Sequence, residues 1–133
     1  MSLQDSVFEF RAVWLPNVSD LGLSRISDLL ERASPLLIHG TFARIMPLGC
    51  LASHIGWNHP ETCRWNEEAG IMWLCRVAGL NPATSRVVTL WDRDGLNDFA
   101  HRSALLQACR TEIATRADAP ERQPTETFCT VPF

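Results

Sequence analysis

The apolar pattern of the chain begins with a strict alternation in "VFEFRAVWL", residues 7–15. The apolar side chains at even positions, from Phe8 to Trp14, fall on one face of an extended chain, whereas Glu9 and Arg11 fall on the other. A period of two residues is typical of a half-buried strand. The segment therefore predicts a first β-strand, which ends at the Pro-Asn pair that follows it.

Two further segments predict extended structure. "SRVVTLWD" (residues 85–92) is rich in β-branched residues and runs into the turn-like "DRDG". "LLIHGTFARIMPLG" (residues 36–49) combines a short apolar run with an alternating stretch and is interrupted at Gly40. Both segments are expected to be strands of the same sheet as the first strand.

Three segments carry the spacing of helices. "SDLGLSRISDLLERASP" (residues 19–35) has Ser19 as a candidate N-cap and places four apolar residues on one helical stripe: Leu23, Ile26, Leu30 and Ala33. A central helix is predicted over residues 60–78, because Pro fits a first helical turn and a Gly follows the segment. A last helix is predicted over residues 96–116.

The segment that decides the fold class is residues 48–57, which fits a strand and a helix equally well. As a strand, it completes the order β-α-β-β-α-β-α, which is a ferredoxin-like (split βαβ) α+β sandwich with an added C-terminal helix. As a helix, it leaves a helix-rich α+β protein with a small sheet of about three strands. In both cases we expect one domain over residues 1–117 and a polar, Pro-interrupted tail over residues 118–133 that is either disordered or packed on a partner subunit.

Composition excludes several classes of function. A chain of 133 residues with 46% apolar content has the size of one ordinary domain. A net charge of −3 offers no basic field for nucleic acid or for an anionic membrane. The longest apolar stretches fall well short of the ~20 residues that span a bilayer, and an acid stands where a signal peptide carries its basic region. A cytoplasmic protein is therefore expected.

The cysteine count supports the same compartment. Five cysteines form an odd number without the dense spacing of a small secreted framework, so reduced thiols are expected. They are Cys50, Cys63, Cys75, Cys109 and Cys129.

The chain contains no Lys and no Tyr, and this excludes a group of cofactors and reactions. Schiff-base chemistry, a pyridoxal phosphate anchor, a P-loop lysine and a tyrosine acid or base all need one of these residues. The dinucleotide fingerprint and the nucleophile elbow are missing as well. We therefore expect no cofactor.

Residues 49–65, "GCLASHIGWNHPETCRW", raise the question of a metal site. Cys50, His54, His59 and Cys63 have the ligand types of tetrahedral zinc. Zinc sites usually pair ligands two to four residues apart on a turn and repeat the pair at a distance, which this spacing does not do. We therefore interpret the four side chains as core or lining residues and expect no metal.

The same stretch contains the candidate catalytic residues. Cys63 lies in the first turn of the predicted central helix, where the positive helix end would stabilise a thiolate that His59 or His54 activates. The less demanding hypothesis is acid or base chemistry by either histidine, because imidazole titrates near neutral pH.

Two functions remain open, and we favour the first, because His, Glu, Arg and Trp side chains lie within one thirty-residue segment. The first is a small-molecule pocket between sheet and central helix, because Trp combines apolar area with a donor, and Glu and Arg supply charge. The second is a non-catalytic interaction or scaffold module that assembles as a homodimer, because small sheets commonly leave a face or edge to be covered. The expected ligand-binding residues are Trp57, Trp65, Glu68, Met72, Trp73 and Arg76.

Overall fold

The computed structural model describes residues 2–118. Of these residues 70% are helical, and none lies in a β-strand. In residues 2–118, β-type pairing occurs as two isolated bridges, which join Leu37 and Ala43 to Gly49. The α-helices are α1 (Leu3–Glu9), α2 (Asp20–Arg32), α3 (Leu51–Trp57), α4 (Ala69–Met72), α5 (Arg86–Asp94) and α6 (Phe99–Ala117).

The predicted ferredoxin-like sandwich is therefore wrong, and so is the alternative with a small sheet. Residues 7–15 are helical: α1 continues through a π-helical turn, Phe10–Trp14, and a 3-10 turn, Leu15–Asn17. In a helix, Ser6, Phe10 and Trp14 are spaced four residues apart, and all three are buried. The alternating aromatics concealed this spacing, since Phe10 and Trp14 fit both periods.

The predicted strand over residues 85–92 is α5 instead. Ser85 is its N-cap, and the Ser85 hydroxyl accepts a hydrogen bond from the Val88 N–H. Val87, Leu90 and Trp91 are buried at spacings of three and four residues. The cap and the buried stripe outweigh the strand preference of the β-branched residues, which is a weak and context-dependent quantity.

Residues 48–57 contain helix α3, all of whose residues are buried. Residues 36–49 form an irregular connection before it. Backbone bonds from Ile38 N–H to Gly49 O and from Gly49 N–H to Leu36 O fold this connection back on itself. It is extended at single positions, without the neighbouring strands that would make a sheet.

The first and last predicted helices correspond to α2 and α6 with changes at their ends, whereas the predicted central helix is interrupted. α2 begins after Ser19, whose hydroxyl accepts a hydrogen bond from the Gly22 N–H. The predicted central helix is divided into a 3-10 segment, Cys63–Glu68, then α4, then a π-helical turn, Trp73–Ala78. The positive φ of 53° at Asn66 makes the break. The tail prediction concerns residues that, apart from Asp118, lie outside the described part.

Large aromatic side chains fill the core. Trp14, Trp73 and Trp91 are fully buried within one cluster to which all the longer helices contribute. Trp14 and Trp73 come from the two π-helical turns, and their ring centroids are 5.4 Å apart. The two widened turns thus meet at the centre of the molecule.

Helices α3 and α4 cross at backbone contact. A Cβ atom on Gly56 would overlap the carbonyl of Ala69, and one on Gly70 would lie 2.7 Å from the Ser53 nitrogen. Backbone atoms cannot rotate away as a flexible side chain can. Both glycines are therefore required by the close approach of the helices.

Replacing Gly56 by Ala is expected to destabilise the protein by about 3 kcal/mol, because the added methyl group meets backbone in a packed interior. Gly79→Ala is the matched control: its Cβ would meet nothing within 4 Å, and only its φ of 69° opposes the change. That control should cost about 1 kcal/mol. Urea unfolding measures both, and a Gly56→Ala variant as stable as Gly79→Ala would contradict the backbone contact.

Candidate functional site

The structure divides the predicted ligand-binding residues between core and surface. Trp57 and Trp73 have no exposed area. The Trp57 indole N–H donates to the Asn66 carbonyl, so this ring helps to hold the break before α4. Glu68 is exposed and Met72 is half-buried. These four side chains do not form a common pocket wall.

Trp65 and Arg76 do come together. The Arg76 guanidinium carbon lies 5.7 Å from the centroid of the Trp65 ring, within the range of a cation–π contact. Trp65 is 43% exposed and Arg76 is exposed as well, so the pair lies on the surface. The predicted proximity of these two residues is present, but not as part of a cavity wall with Trp57 and Trp73.

His54 is a core residue of α3. Its Nε2 atom is 2.8 Å from the Leu36 carbonyl oxygen, and that acceptor requires the hydrogen to be on Nε2. The ring contacts Trp57 edge-on at a centroid distance of 5.0 Å. Burial lowers the pKa of His54 to about 4. A neutral imidazole without solvent contact is poorly placed for acid or base chemistry on a ligand.

The two cysteines of the same stretch are buried. Burial raises the pKa of the Cys50 thiol to about 11, so it is protonated at neutral pH. Cys63 is disulfide-bonded, whereas Cys50, Cys75 and Cys109 are free. The expectation of reduced thiols therefore holds for these three and not for Cys63. Within residues 2–118, no three His, Cys, Asp or Glu side chains converge as metal ligands.

His59 is the predicted catalytic residue that lies at a cavity. Its Nδ1 atom accepts a hydrogen bond of 3.1 Å from the Glu61 N–H. Burial lowers the pKa of His59, and the nearby Glu61 carboxylate opposes that shift. The ring lines a cleft of about 350 Å³, here called the His59 cleft. Its other lining residues are Pro16, Asn17, Val18, Ser19, Pro60, Glu112 and Arg116.

Arg116 forms one wall of the His59 cleft. Its Nε donates to the Glu112 carboxylate at 2.7 Å, and its Nη1 donates to Asp20 at 2.9 Å. Its Nη2 donates to the carbonyls of Leu15 and Val18. The side chain is only 11% exposed, and it ties the C-terminal part of α6 to the connection between α1 and α2.

An open groove of about 590 Å³ lies on the surface of α1 and α6. Phe8 lines it and is 71% exposed, whereas Ser6 and Phe10, two residues before and after it, are fully buried. An exposed Phe at an apolar groove is the kind of surface that marks an interaction site. The lining residues of this α1–α6 groove are Leu3, Gln4, Val7, Phe8, Arg11, Ala12 and Ala104.

Two polar contacts fix α1 from its inner side. The Ser6 hydroxyl and His101 Nε2 are 2.7 Å apart, and both residues are fully buried between α1 and α6. Burial lowers the pKa of His101, and Asp98 opposes that shift. The contact keeps α1 against α6, and the opposite side of α1 lines the groove.

Glu9 makes the second inner contact. Its carboxylate accepts hydrogen bonds from the Ser85 hydroxyl at 2.6 Å and from the Trp14 indole N–H at 3.0 Å. It also accepts from the backbone N–H groups of Arg86 and Val87, at the start of α5. A carboxylate at this position satisfies free N–H groups and opposes the positive end of the α5 dipole.

The α1–α6 groove is not among the sites that the sequence pattern predicts. The signal was present, since Leu3, Val7 and Arg11 are four residues apart, and Ser2 precedes Asp5 in a capping pattern. The Ser2 hydroxyl does accept a hydrogen bond from the Asp5 N–H. A period of two over residues 7–15 predicts that Phe8 lies in the core. It does not predict a helical stripe that faces the solvent.

Comparison of the chain with family models, with curated proteins and with solved structures found no match. In the part of the chain that the structure describes, no helix combines the length and hydrophobicity that crossing a bilayer requires. The function of this chain is therefore inferred from its own geometry.

His54 makes stability depend on pH. Its folded pKa of about 4 lies below the ordinary value of 6.5, so the unfolded chain binds the proton first as pH falls. Stability is complete above the unfolded pKa and is lost through the window from 6.5 down to about 4. Between about pH 7 and about pH 5, His54 should remove about 2 kcal/mol from the free energy of unfolding.

The measurement is urea unfolding at both pH values for the wild type and for His54→Gln. Gln can still donate to the Leu36 carbonyl but does not titrate. The variant should therefore lose less stability on acidification, by about 2 kcal/mol. Equal losses for the two proteins would show that His54 is not held neutral by burial.

Proposed function

We propose that this protein is a non-catalytic interaction module that assembles as a homodimer through the α1–α6 groove. The observation that carries the proposal is Phe8, 71% exposed beside a groove whose wall is mainly aliphatic. Burying a Phe side chain contributes about 1.5–3 kcal/mol. A second chain on this face would supply that burial.

The groove has the composition of an interface. Leu3, Val7 and Phe8 provide apolar area, and Gln4 and Arg11 provide polar groups beside it. Arg is a favoured interface residue because its stem packs on apolar area while its guanidinium stays hydrated. The acidic residues of α1 are engaged elsewhere, since Asp5 lies 3.5 Å from Arg86 and Glu9 caps α5.

The arrangement of the lining residues fits a second copy of the same chain. A two-fold axis between Val7 and Phe8 would pair two α1 helices in opposite directions. Each lining position of residues 3–12 then meets another lining position of the second copy, as an isologous contact requires. The resulting pairs are Leu3 with Ala12, Gln4 with Arg11, and Val7 with Phe8.

This pairing is chemically consistent. Phe8 of each copy contacts Val7 of the other at the centre, where hot-spot residues concentrate. The Gln4 amide oxygen can accept from Arg11 of the second copy, so no like charges face each other. Small Ala12 and Ala104 leave room for the larger side chains of the opposite helix.

The geometry favours this function over histidine chemistry. His54 is buried with its Nε2 engaged by a backbone carbonyl, and Trp57 and Trp73 are in the core. Small-molecule binding by the predicted set stays a prediction.

Phe8→Glu is expected to weaken the dimer about a thousandfold, because two Phe side chains lose their burial and two charges meet near the axis. Phe99→Glu is a closely matched control, since Phe99 is 70% exposed and does not line the groove. Sedimentation equilibrium of both variants and the wild type measures the dissociation constants. A wild type that remains at 14.9 kDa at about 100 µM, or equal weakening by the two variants, would refute the proposal.

The pairing of Gln4 with Arg11 gives a test of the axis itself. Gln4→Glu should tighten the dimer about threefold, because it places a carboxylate opposite the guanidinium of the second copy. Gln4→Arg should weaken it by at least a similar factor through like-charge repulsion. Sedimentation equilibrium at low salt measures the dissociation constants of both variants. If neither change alters the dissociation constant, the two-fold axis does not pass between Val7 and Phe8.

A further inference from the structure

The bonding state of the cysteines points to a covalent link within the chain. The sequence contains five cysteines. In the part that the structure describes, Cys50, Cys75 and Cys109 are free thiols, whereas Cys63 is disulfide-bonded. A disulfide needs a second sulfur atom, and the three free thiols do not supply it. Within one chain, the remaining cysteine is Cys129.

Cys63 is held in a fixed position close to the His59 cleft. Its N–H donates to the His59 carbonyl at 2.9 Å, and its Sγ atom lies 3.9 Å from the Pro60 carbonyl oxygen. The Thr62 hydroxyl donates to the Gly56 carbonyl and ties this turn to α3. Cys63 is only 5% exposed. A disulfide brings two Cα atoms within about 7 Å, which an enclosed cysteine allows more readily to its own chain than to a second copy.

The C-terminal segment is long enough for a bond to Cys63. Near the end of α6, Arg116 lines the His59 cleft together with Pro60, so the helix end and Cys63 border the same cleft. Asp118 and Cys129 are 11 positions apart in the sequence. An extended chain of that length spans roughly 36–40 Å. This reach is several times the width of a cleft of about 350 Å³.

Two of the free thiols are poor competitors for Cys63. Cys50 and Cys109 are buried, and burial raises the pKa of the Cys50 thiol to about 11 and that of the Cys109 thiol to about 12. Both are therefore protonated at neutral pH, whereas thiolates are the species that exchange with disulfides. Cys75 is free and exposed, which makes it the competitor that an experiment has to follow.

We infer that Cys63 and Cys129 form an intrachain disulfide, which fastens the C-terminal segment beside the His59 cleft. Its formation transfers two electrons and two protons from the two thiols to a low-molecular-weight disulfide such as oxidised glutathione, which becomes two thiols. The bond closes a long loop, from residue 63 to residue 129, and stabilises the fold by restricting the unfolded chain. It uses no lining residue of the α1–α6 groove and so does not depend on dimer formation there.

The test is peptide mapping of the full-length protein after equilibration with oxidised and reduced glutathione. Free thiols are alkylated in denaturant without a reductant, and trypsin then cleaves after the arginines. We expect residues 45–64 and 123–133 as one linked peptide, in which Cys50 is alkylated and Cys63 is not. A reductant should separate the two parts. Alkylated Cys63, or Cys63 linked to Cys75 or to any cysteine other than Cys129, would overturn the inference.

Two variants separate this pairing from the general effect of removing a thiol. In Cys129→Ser, Cys63 should become alkylated, and the equilibrium constant for folding should fall at least about tenfold. Cys75→Ser is the matched control, because it removes an exposed free thiol, and it should keep both the linked peptide and the folding equilibrium. Urea unfolding measures the equilibrium. A covalent dimer of the wild type on a non-reducing gel, or equal folding equilibria for the two variants, would contradict the intrachain bond.

Discussion

The structure depends on the contact between the backbones of α3 and α4. Gly56 and Gly70 allow these helices to approach until main-chain atoms touch. The residues beside this contact, including His54, Trp57 and Trp73, are therefore fully buried. Side chains that on an open helix face could surround a ligand become part of the core, because the space they would need is filled by the neighbouring helix.

The polar contacts on the inner side of α1 explain why its outer side is apolar and exposed. Its inner side is fixed by polar contacts, from Ser6 to His101 and from Glu9 to the start of α5. Directional bonds determine the rotation of a helix more strictly than apolar packing does, because their geometry tolerates little change. Once Ser6 and Glu9 point inward, Phe8 must point outward. Its exposure is thus a consequence of the bonds behind it rather than of local disorder.

The sequence predicts part of the fold and part of the candidate site. The sequence places α2 correctly because Ser19 and a regular apolar stripe both indicate a helix. For α1 and α5 the sequence predicts strands, because aromatic and β-branched residues alternate there, whereas the decisive contacts, such as Glu9 with Ser85, join positions far apart in the chain. His59, a candidate for its chemistry, lies in the wall of a cleft, and its catalytic role stays a prediction. The burial of Trp57 follows from a helix crossing that no local pattern encodes.

The proposed interaction face and the His59 cleft share one structural element. The helical segment from Leu3 to Asn17 lines the groove at its first turns, and its end and the residues after it line the cleft. Coupling between two sites requires an element with two discrete arrangements. Here Trp14 is fully buried and donates to Glu9, and Arg116 holds the Leu15 carbonyl. These bonds oppose rotation of the segment, so association at the groove should leave the geometry of the cleft unchanged.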